Sequence, residues 1–297
     1  MMSSPIVQKA GIAALNAAAW ITPGLAGRAS YEIFCTPPHG TPADDAERKL
    51  AEKLTPLFDT AEQITVRSPD TTVAAYRWRT QAAERRGQIL LIHGWTAQAM
   101  VMGLFVKPLQ SAGFDVVAVD LPGHGRSGGN RLSMVIGANA ILALNEHAGP
   151  FAGIVTHSFG GLVAALAVEG GSPIHRQLPT ERLVLIAAPN SLRIATKQFA
   201  DALGFSARLH QQLGSEIEAR ARRPIETITA GNLIQKSGAN CLLIHDRDDE
   251  DVPFTEGEAI AQTLGTSAAF EPTAGLGHRR IVVMPHVIRR AVRFLSE

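Results

Sequence analysis

Ser158, four aspartates at positions 246, 248, 249 and 251, and His278 follow one another along the chain, each shortly after a brief apolar run. A hydroxyl, a carboxylate and an imidazole are the three groups acyl transfer needs: a nucleophile, a group that orients the base, and the base itself. Ser158 sits in Ile154-Val155-Thr156-His157-Ser158-Phe159-Gly160-Gly161, where an apolar strand pattern meets a helical pattern over residues 162–169. On such a sharp strand-to-helix turn the Oγ projects clear of the backbone, and the next amide opens a helix and can donate to an oxyanion. The pattern is G-x-S-x-G with Thr156 in place of the first glycine, so this turn must accommodate a β-branched side chain. Spacing alone does not choose among Asp246, Asp248, Asp249 and Asp251 as the acid.

Each residue also has a plainer use. Ser158 alone would serve as a helix N-cap, and His278 as a surface loop residue. The aspartate run fails as an EF-hand calcium loop, because Asp251 stands where glycine is required and Gly257 where the bidentate glutamate belongs. His93, His124, His157 and His245 have no helical metal-ligand spacing, so no metal is expected. Gly123-His124-Gly125-Arg126-Ser127-Gly128 is a literal G-x-G-x-x-G after a strand, with Glu146 downstream. A dinucleotide fingerprint should open a helix within the motif, whereas here the helical pattern starts only near Ser133. These glycines therefore read as a tight loop, and no cofactor is expected.

The elements that must position these groups alternate. Residues 63–67 and 72–78 read as an antiparallel pair joined by a Ser-Pro-Asp turn. Short dry runs follow at 89–92, 116–119, 154–155, 183–186 and 242–244, with a weaker one at 268–270, and helical segments separate most of them. Such runs suit strands covered on both faces, so the fold class is α/β with a mostly parallel, doubly covered sheet. Ligands bind beyond the carboxyl ends of strands in such sheets, which is where Ser158, the aspartates and His278 fall.

With 297 residues, 45% of them hydrophobic, the chain can bury a large core. A net charge of +1 gives no electrostatic reason to expect nucleic acid or an anionic membrane as partner. Cys35 and Cys241 cannot build a disulfide framework, and a reducing cytoplasm is the default. The Ala-rich stretch 10–21 is too short for an integral membrane span, which needs about 20 apolar residues. It reads as a surface helix, with export through a weak signal ending near Leu25-Ala26-Gly27 as the lesser reading. After a Pro/Gly-rich linker, Thr41 is expected to cap a helix with Pro42 at its first position, Asp44 and Asp45 in its first turn, and Leu50, Leu54 and Leu57 on one face. Residues 1–58 are then an N-terminal helical segment packing on the core, 59–190 and 241–297 the core, and 191–240 a helical cap insertion. The basic excess of that insertion reads as a solvated face.

Several motifs in order, over roughly residues 60–297, give the chain its resemblance to the α/β-hydrolase superfamily, in its serine carboxylesterase and lipase-like branch: His93-Gly94-Trp95, the Ser158 turn, His245 through Pro253, and Gly275-Leu276-Gly277-His278. The resemblance implies that Ser158 is the nucleophile, His278 the base and Asp249 the acid, with Asp246 where the family usually has glycine. It implies an oxyanion hole from the backbone N–H groups of Trp95 and Phe159, and a substrate pocket bordered by Trp95, Phe159, Val252 and the cap residues Phe199 and Phe205. The expected activity is cofactor-free hydrolysis of a small-molecule ester through an acyl-enzyme. A thioester, amide or carbon–carbon bond is the alternative substrate, and a non-catalytic ligand-binding protein the alternative of another class. A serine at the turn, rather than an aspartate, argues against dehalogenase and epoxide hydrolase chemistry. The imidazole base must be neutral to accept the serine proton.

Overall fold

The computed structural model describes residues 5–37 and 45–297. Its helices are α1 (Pro5–Ile21), α2 (Pro23–Phe34), α3 (Asp45–Asp59), α4 (Val106–Ser111), α5 (Met134–Ala148), α6 (Phe159–Glu169), α7 (Leu192–Leu203), α8 (Ala207–Ala221), α9 (Ala230–Gln235), α10 (Phe254–Leu264), α11 (Gly277–Arg280) and α12 (Pro285–Ser296). Its strands are β1 (Glu62–Arg67), β2 (Thr72–Trp78), β3 (Gln88–Ile92), β4 (Asp115–Val119), β5 (Gly153–His157), β6 (Arg182–Ile186), β7 (Asn240–Asp246) and β8 (Ala268–Thr273).

All eight strands form one sheet in the order β1-β2-β4-β3-β5-β6-β7-β8. β1 and β2 are antiparallel, β2 runs antiparallel to β4, and every other neighbour is parallel. The dry runs explain this: β5 is buried at all five positions, and Ile89, Leu90, Leu91 and Ile92 of β3 have no exposed surface. A strand with no wet face needs layers on both sides, and parallel connections supply them as helices.

The chain divides into two compact units, 1–36 with 191–228, and 37–190 with 229–297. This corrects the expected boundaries. The N-terminal segment is split: α1 and α2 pack with α8 of the insertion, while α3 packs on the 3-10 turn Ala99–Phe105 of the core. Side-chain chemistry accounts for both halves. In the helical unit Phe34 meets Phe199 edge to face at 5.1 Å, Gly27 lets α2 lie directly on the Gln212 backbone, and Asn16 bridges to Gly204 and Ser206. In the core, α3 buries Leu54 and Phe58, with Leu50 and Leu57 half-buried beside them on the same face. The expected cap of α3 at Thr41, with Pro42 and Asp44, lies outside the described residues.

The insertion is also shorter than expected, because α9 belongs to the core, packing on α6 and α10. Asn190 explains this: its carbonyl accepts from Ala230 N at 2.7 Å and its Oδ1 from Gly231 N at 3.0 Å, so the chain is clipped back onto the sheet immediately after residue 228.

Candidate active site

β5 ends at His157, and Ser158 turns the chain into α6 with φ 53° and ψ −129°. A non-glycine residue there is strained, at a cost of about 1–3 kcal/mol, and persists only where surroundings dictate it. Here Ser158 N donates to Ile186 O, and a Cβ at Gly160 would lie 2.6 Å from the His93 carbonyl oxygen, so α6 is drawn hard against the β3 loop. Gly94 is pressed in the same way: a Cβ on it would come within 2.9 Å of the Ser158 Cβ. Thr156, in place of the first motif glycine, is fully buried and donates its hydroxyl to Val184 O at 3.2 Å. Its extra bulk is thus satisfied within the sheet.

The three separated groups converge. Ser158 Oγ lies 2.9 Å from His278 Nε2, and His278 Nδ1 lies 2.8 Å from Asp249 Oδ2. Of the four aspartates, Asp249 is the one at the imidazole. Its Oδ1 accepts from Val252 N at 2.7 Å and Asp251 N at 3.0 Å. Burial would raise its pKa, but hydrogen bonds from His245 and His278, the attraction of His278, and the Val252 amide outweigh burial and hold the carboxyl far below the usual carboxylate range. Asp246 has other work. It accepts from Thr273 Oγ1 at 2.7 Å, Gly277 N at 3.0 Å and Leu276 N at 3.2 Å, stapling the strand end to the segment that carries His278. Burial works against its charge, yet these bonds lower its pKa. Asp248 accepts from Gly275 N at 2.7 Å and so holds the same segment.

Three of the histidines at the strand ends act as fasteners. His93 is fully buried; its Nδ1–H donates to Gly94 O at 2.7 Å while Nε2 accepts from Leu121 N at 2.9 Å. Burial drives its pKa well down, with the neighbouring His124 adding to the fall, so the ring stays neutral. Because a trans peptide points its C=O and N–H in opposite directions, holding the Gly94 carbonyl also aims the Trp95 N–H. His124 faces the Trp95 carbonyl with Nε2 and Pro122 O with Nδ1. His157 donates Nε2–H to the His278 carbonyl at 2.9 Å; burial, then the nearby His278, takes its pKa down to about 3. A sequence signal for these roles existed in their adjacency to each strand end, but their partners are backbone atoms that no side-chain pattern reveals.

The glycine loop after β4 is filled from within. A Cβ at Gly125 would strike the Asp120 carboxylate at 2.2 Å, and that carboxylate accepts from Ala99 N, Arg126 N and Tyr76 Oη. Among the described residues, no three of His, Cys, Asp and Glu gather as a metal would require.

A cavity of about 660 Å³ opens over Ser158 and His278, wholly within the core unit. Trp95 and Val252 border it, and Phe159 packs edge-on against Trp95 at 5.2 Å. Phe199 and Phe205 are not among the residues that line the cavity. Phe199 and Phe205 pair with each other at 5.9 Å, and Phe199 with Phe34, inside the helical unit. The wall is instead α3, through Lys49, Leu50 and Lys53, together with Val101, Leu104 and Val283.

A sheet of this order, with a serine turn after its central strand, is the architecture of the hydrolases to which the motifs point, and a profile described as the alpha/beta hydrolase family matches residues 89–291. The chain belongs to that family. Over 89 residues it is 37% identical to the pimeloyl-[acyl-carrier protein] methyl ester esterase of Klebsiella pneumoniae, covering 30% of this chain and 33% of that protein. The enzyme of the same name from Edwardsiella ictaluri is 38% identical over 96 residues, covering 32% and 35%. The chain thus spans about a third of the length of these curated relatives. Among solved structures, the Pyrococcus furiosus esterase Pf2001 superposes with a TM-score of 0.61 at 18% identity, covering 88% of this chain and 98% of that one. A bacterial membrane phospholipase A gives 0.60 at 18%, covering 84% and 91%. At such identities the likeness is one of fold.

Proposed function

We propose that this protein hydrolyses carboxylic esters by nucleophilic attack of Ser158, with His278 as general base and acid and Asp249 as the group that orients it. The observation that carries the reading is the continuous Ser158–His278–Asp249 contact, 2.9 and 2.8 Å, on a strained turn. His278 Nε2 takes the Ser158 proton as Oγ attacks the carbonyl carbon. Asp249, kept ionised by its four donors, holds Nδ1–H and stabilises the imidazolium. The oxyanion then meets the Phe159 N–H at the start of α6 and the Trp95 N–H aimed by the His93 clamp; each such donor contributes about 100- to 1,000-fold in rate. The imidazolium proton passes to the departing alkoxide, leaving an acyl-serine, and His278 deprotonates a water that releases the acid. The largely apolar wall formed by Leu50, Trp95, Val101, Leu104, Val252 and Val283 suits the acyl chain. The segment similar to two enzymes named as methyl ester esterases supports an ester over an amide.

The test is a fluorophosphonate probe, with the adduct mapped by mass spectrometry in folded and heat-denatured protein. Labelling of Ser158 in folded protein alone, and loss of about 10⁴-fold or more in kcat on esters for Ser158→Ala, is the expected result. Turnover that survives Ser158→Ala overturns the proposal.

A further inference from the structure

The helical unit carries a feature unrelated to the reaction centre. α1 and α2 meet at the corner Trp20-Ile21-Thr22-Pro23-Gly24-Leu25. Trp20, Ile21 and Leu25 are 70%, 80% and 64% exposed, and among the described residues they are the large apolar side chains that stand in solvent. Single exposed apolar residues are ordinary, but three within six positions at one corner are not. The corner also continues a stripe. Ala10, Ala13, Ala14 and Ala17 are exposed, and with Trp20 and Ile21 they recur at intervals of three and four along one side of α1. The other side of α1 is fastened, with Ala19 fully buried and Asn16 bonded to Gly204 O and Ser206 N. The apolar stripe is therefore held outward by packing.

Two guanidinium groups lie at the corner. α1 has no acidic residue, and Arg28 lies exposed one turn beyond Leu25. The Arg208 guanidinium sits 4.4 Å over the Trp20 ring while its Nε donates to Ala19 O. Residues 1–36 and 191–228 hold eight Lys and Arg against five Asp and Glu, while the rest of the chain holds twenty against twenty-two. The near-neutral total that argued against an anionic surface is the average of a basic unit and a slightly acidic one. A second copy as occupant would set Arg28 and Arg208 against their own kind, a like-charge contact that disfavours it. A lipid interface takes every part: an indole at headgroup depth, aliphatic chains below it, and guanidinium groups at the phosphates. Among the described residues no helix is long and apolar enough to cross a membrane, so such a corner lies in the interface.

We propose that the α1–α2 corner docks this protein on an anionic lipid surface, with Trp20, Ile21 and Leu25 inserted among the acyl chains and Arg28 and Arg208 at the phosphates. The docking is independent of the ester chemistry. It is tested by sedimenting the full chain with phosphatidylglycerol/phosphatidylcholine vesicles and with phosphatidylcholine alone, at low and high salt. Binding to the anionic vesicles, weakened by salt, is expected, with a loss of about tenfold or more for the double variant Ile21→Glu, Leu25→Glu. Brominated lipid should quench the protein's fluorescence, and Trp20→Phe should remove that quenching, leaving the signal of Trp78 and Trp95. Unchanged helical circular dichroism in each variant separates loss of docking from loss of fold. Absence of vesicle binding at low salt, or binding that the double variant does not weaken, overturns the proposal. So does a dimer that the double variant disperses, since a second copy would then occupy the face.

Discussion

At the scale of single residues, the proposed Ser158–His278–Asp249 arrangement is held by backbone atoms as much as by side chains. Asp249→Asn keeps the shape but presents an amide to Nδ1, favouring the wrong imidazole tautomer; kcat should fall about 10⁴-fold with little change in KM. Steady-state kinetics on one ester decides this, and a fall of less than tenfold would move the acid role to another aspartate. Ser158 offers a second expectation, because its φ of 53° is easy for glycine and hard for alanine. Both Ser158→Gly and Ser158→Ala should be inactive, yet the glycine variant should be more stable than the alanine variant by about 1 kcal/mol, read from urea unfolding. Equal stabilities would mean that the turn holds no strain. Spacing alone left the acid as one of four aspartates, because a hydrogen bond to His278 across 29 positions leaves no mark on local spacing, and only the family resemblance singled out Asp249. For His93, His124 and His157 the place at a strand end was legible, but their backbone partners were not.

At the scale of elements, each strand announced itself, since a run with no polar residue has nowhere to go but between two layers. What lies over the candidate site did not. The face of Leu50, Leu54 and Leu57 marked α3 as amphipathic without saying what it would lie against, and an apolar insertion was the obvious roof. Phe199 and Phe205 instead make the core of the helical unit. The two sets of substitutions should therefore part company. Leu50→Ala, which enlarges the cavity, should change KM and the preferred acyl length severalfold while leaving kcat on short esters nearly intact. Phe205→Ala should leave those constants alone and destabilise the helical unit by about 3 kcal/mol, seen as faster proteolysis within residues 191–228. The reverse pattern would return the roof to the insertion.

At the scale of the molecule, buried histidines make the protein sensitive to mild acid. His157, with its pKa down at about 3, and His93, well below the ordinary value, are neutral when folded, whereas the unfolded chain protonates both near pH 6.5. The unfolded state then binds more protons, so stability should fall as pH drops below about 6.5, by roughly 2 kcal/mol at pH 5 for His157, with His93 acting in the same direction. Asp249 and Asp246, whose pKa values are depressed, act lower: their contribution is present above about pH 4 and is lost as pH falls through their folded values. The urea midpoint should be lower at pH 5 than at pH 7, and equal midpoints would refute it.

The insertion leaves and rejoins the rest of the chain at nearly one point. Leu192 N reaches Ile228 O at 3.1 Å, and just outside, Ala230 N reaches Asn190 O at 2.7 Å. Such a neck behaves like the stem of a graft: a two- or three-residue turn could replace residues 191–228 without disturbing β6 or α9. The graft, however, has two rootstocks. Because α2 rests on α8, excising the insertion alone would orphan residues 1–36, and transplanting it alone would carry away a half-built body. Recombination that exchanges this unit between relatives must therefore move two distant stretches of the gene together.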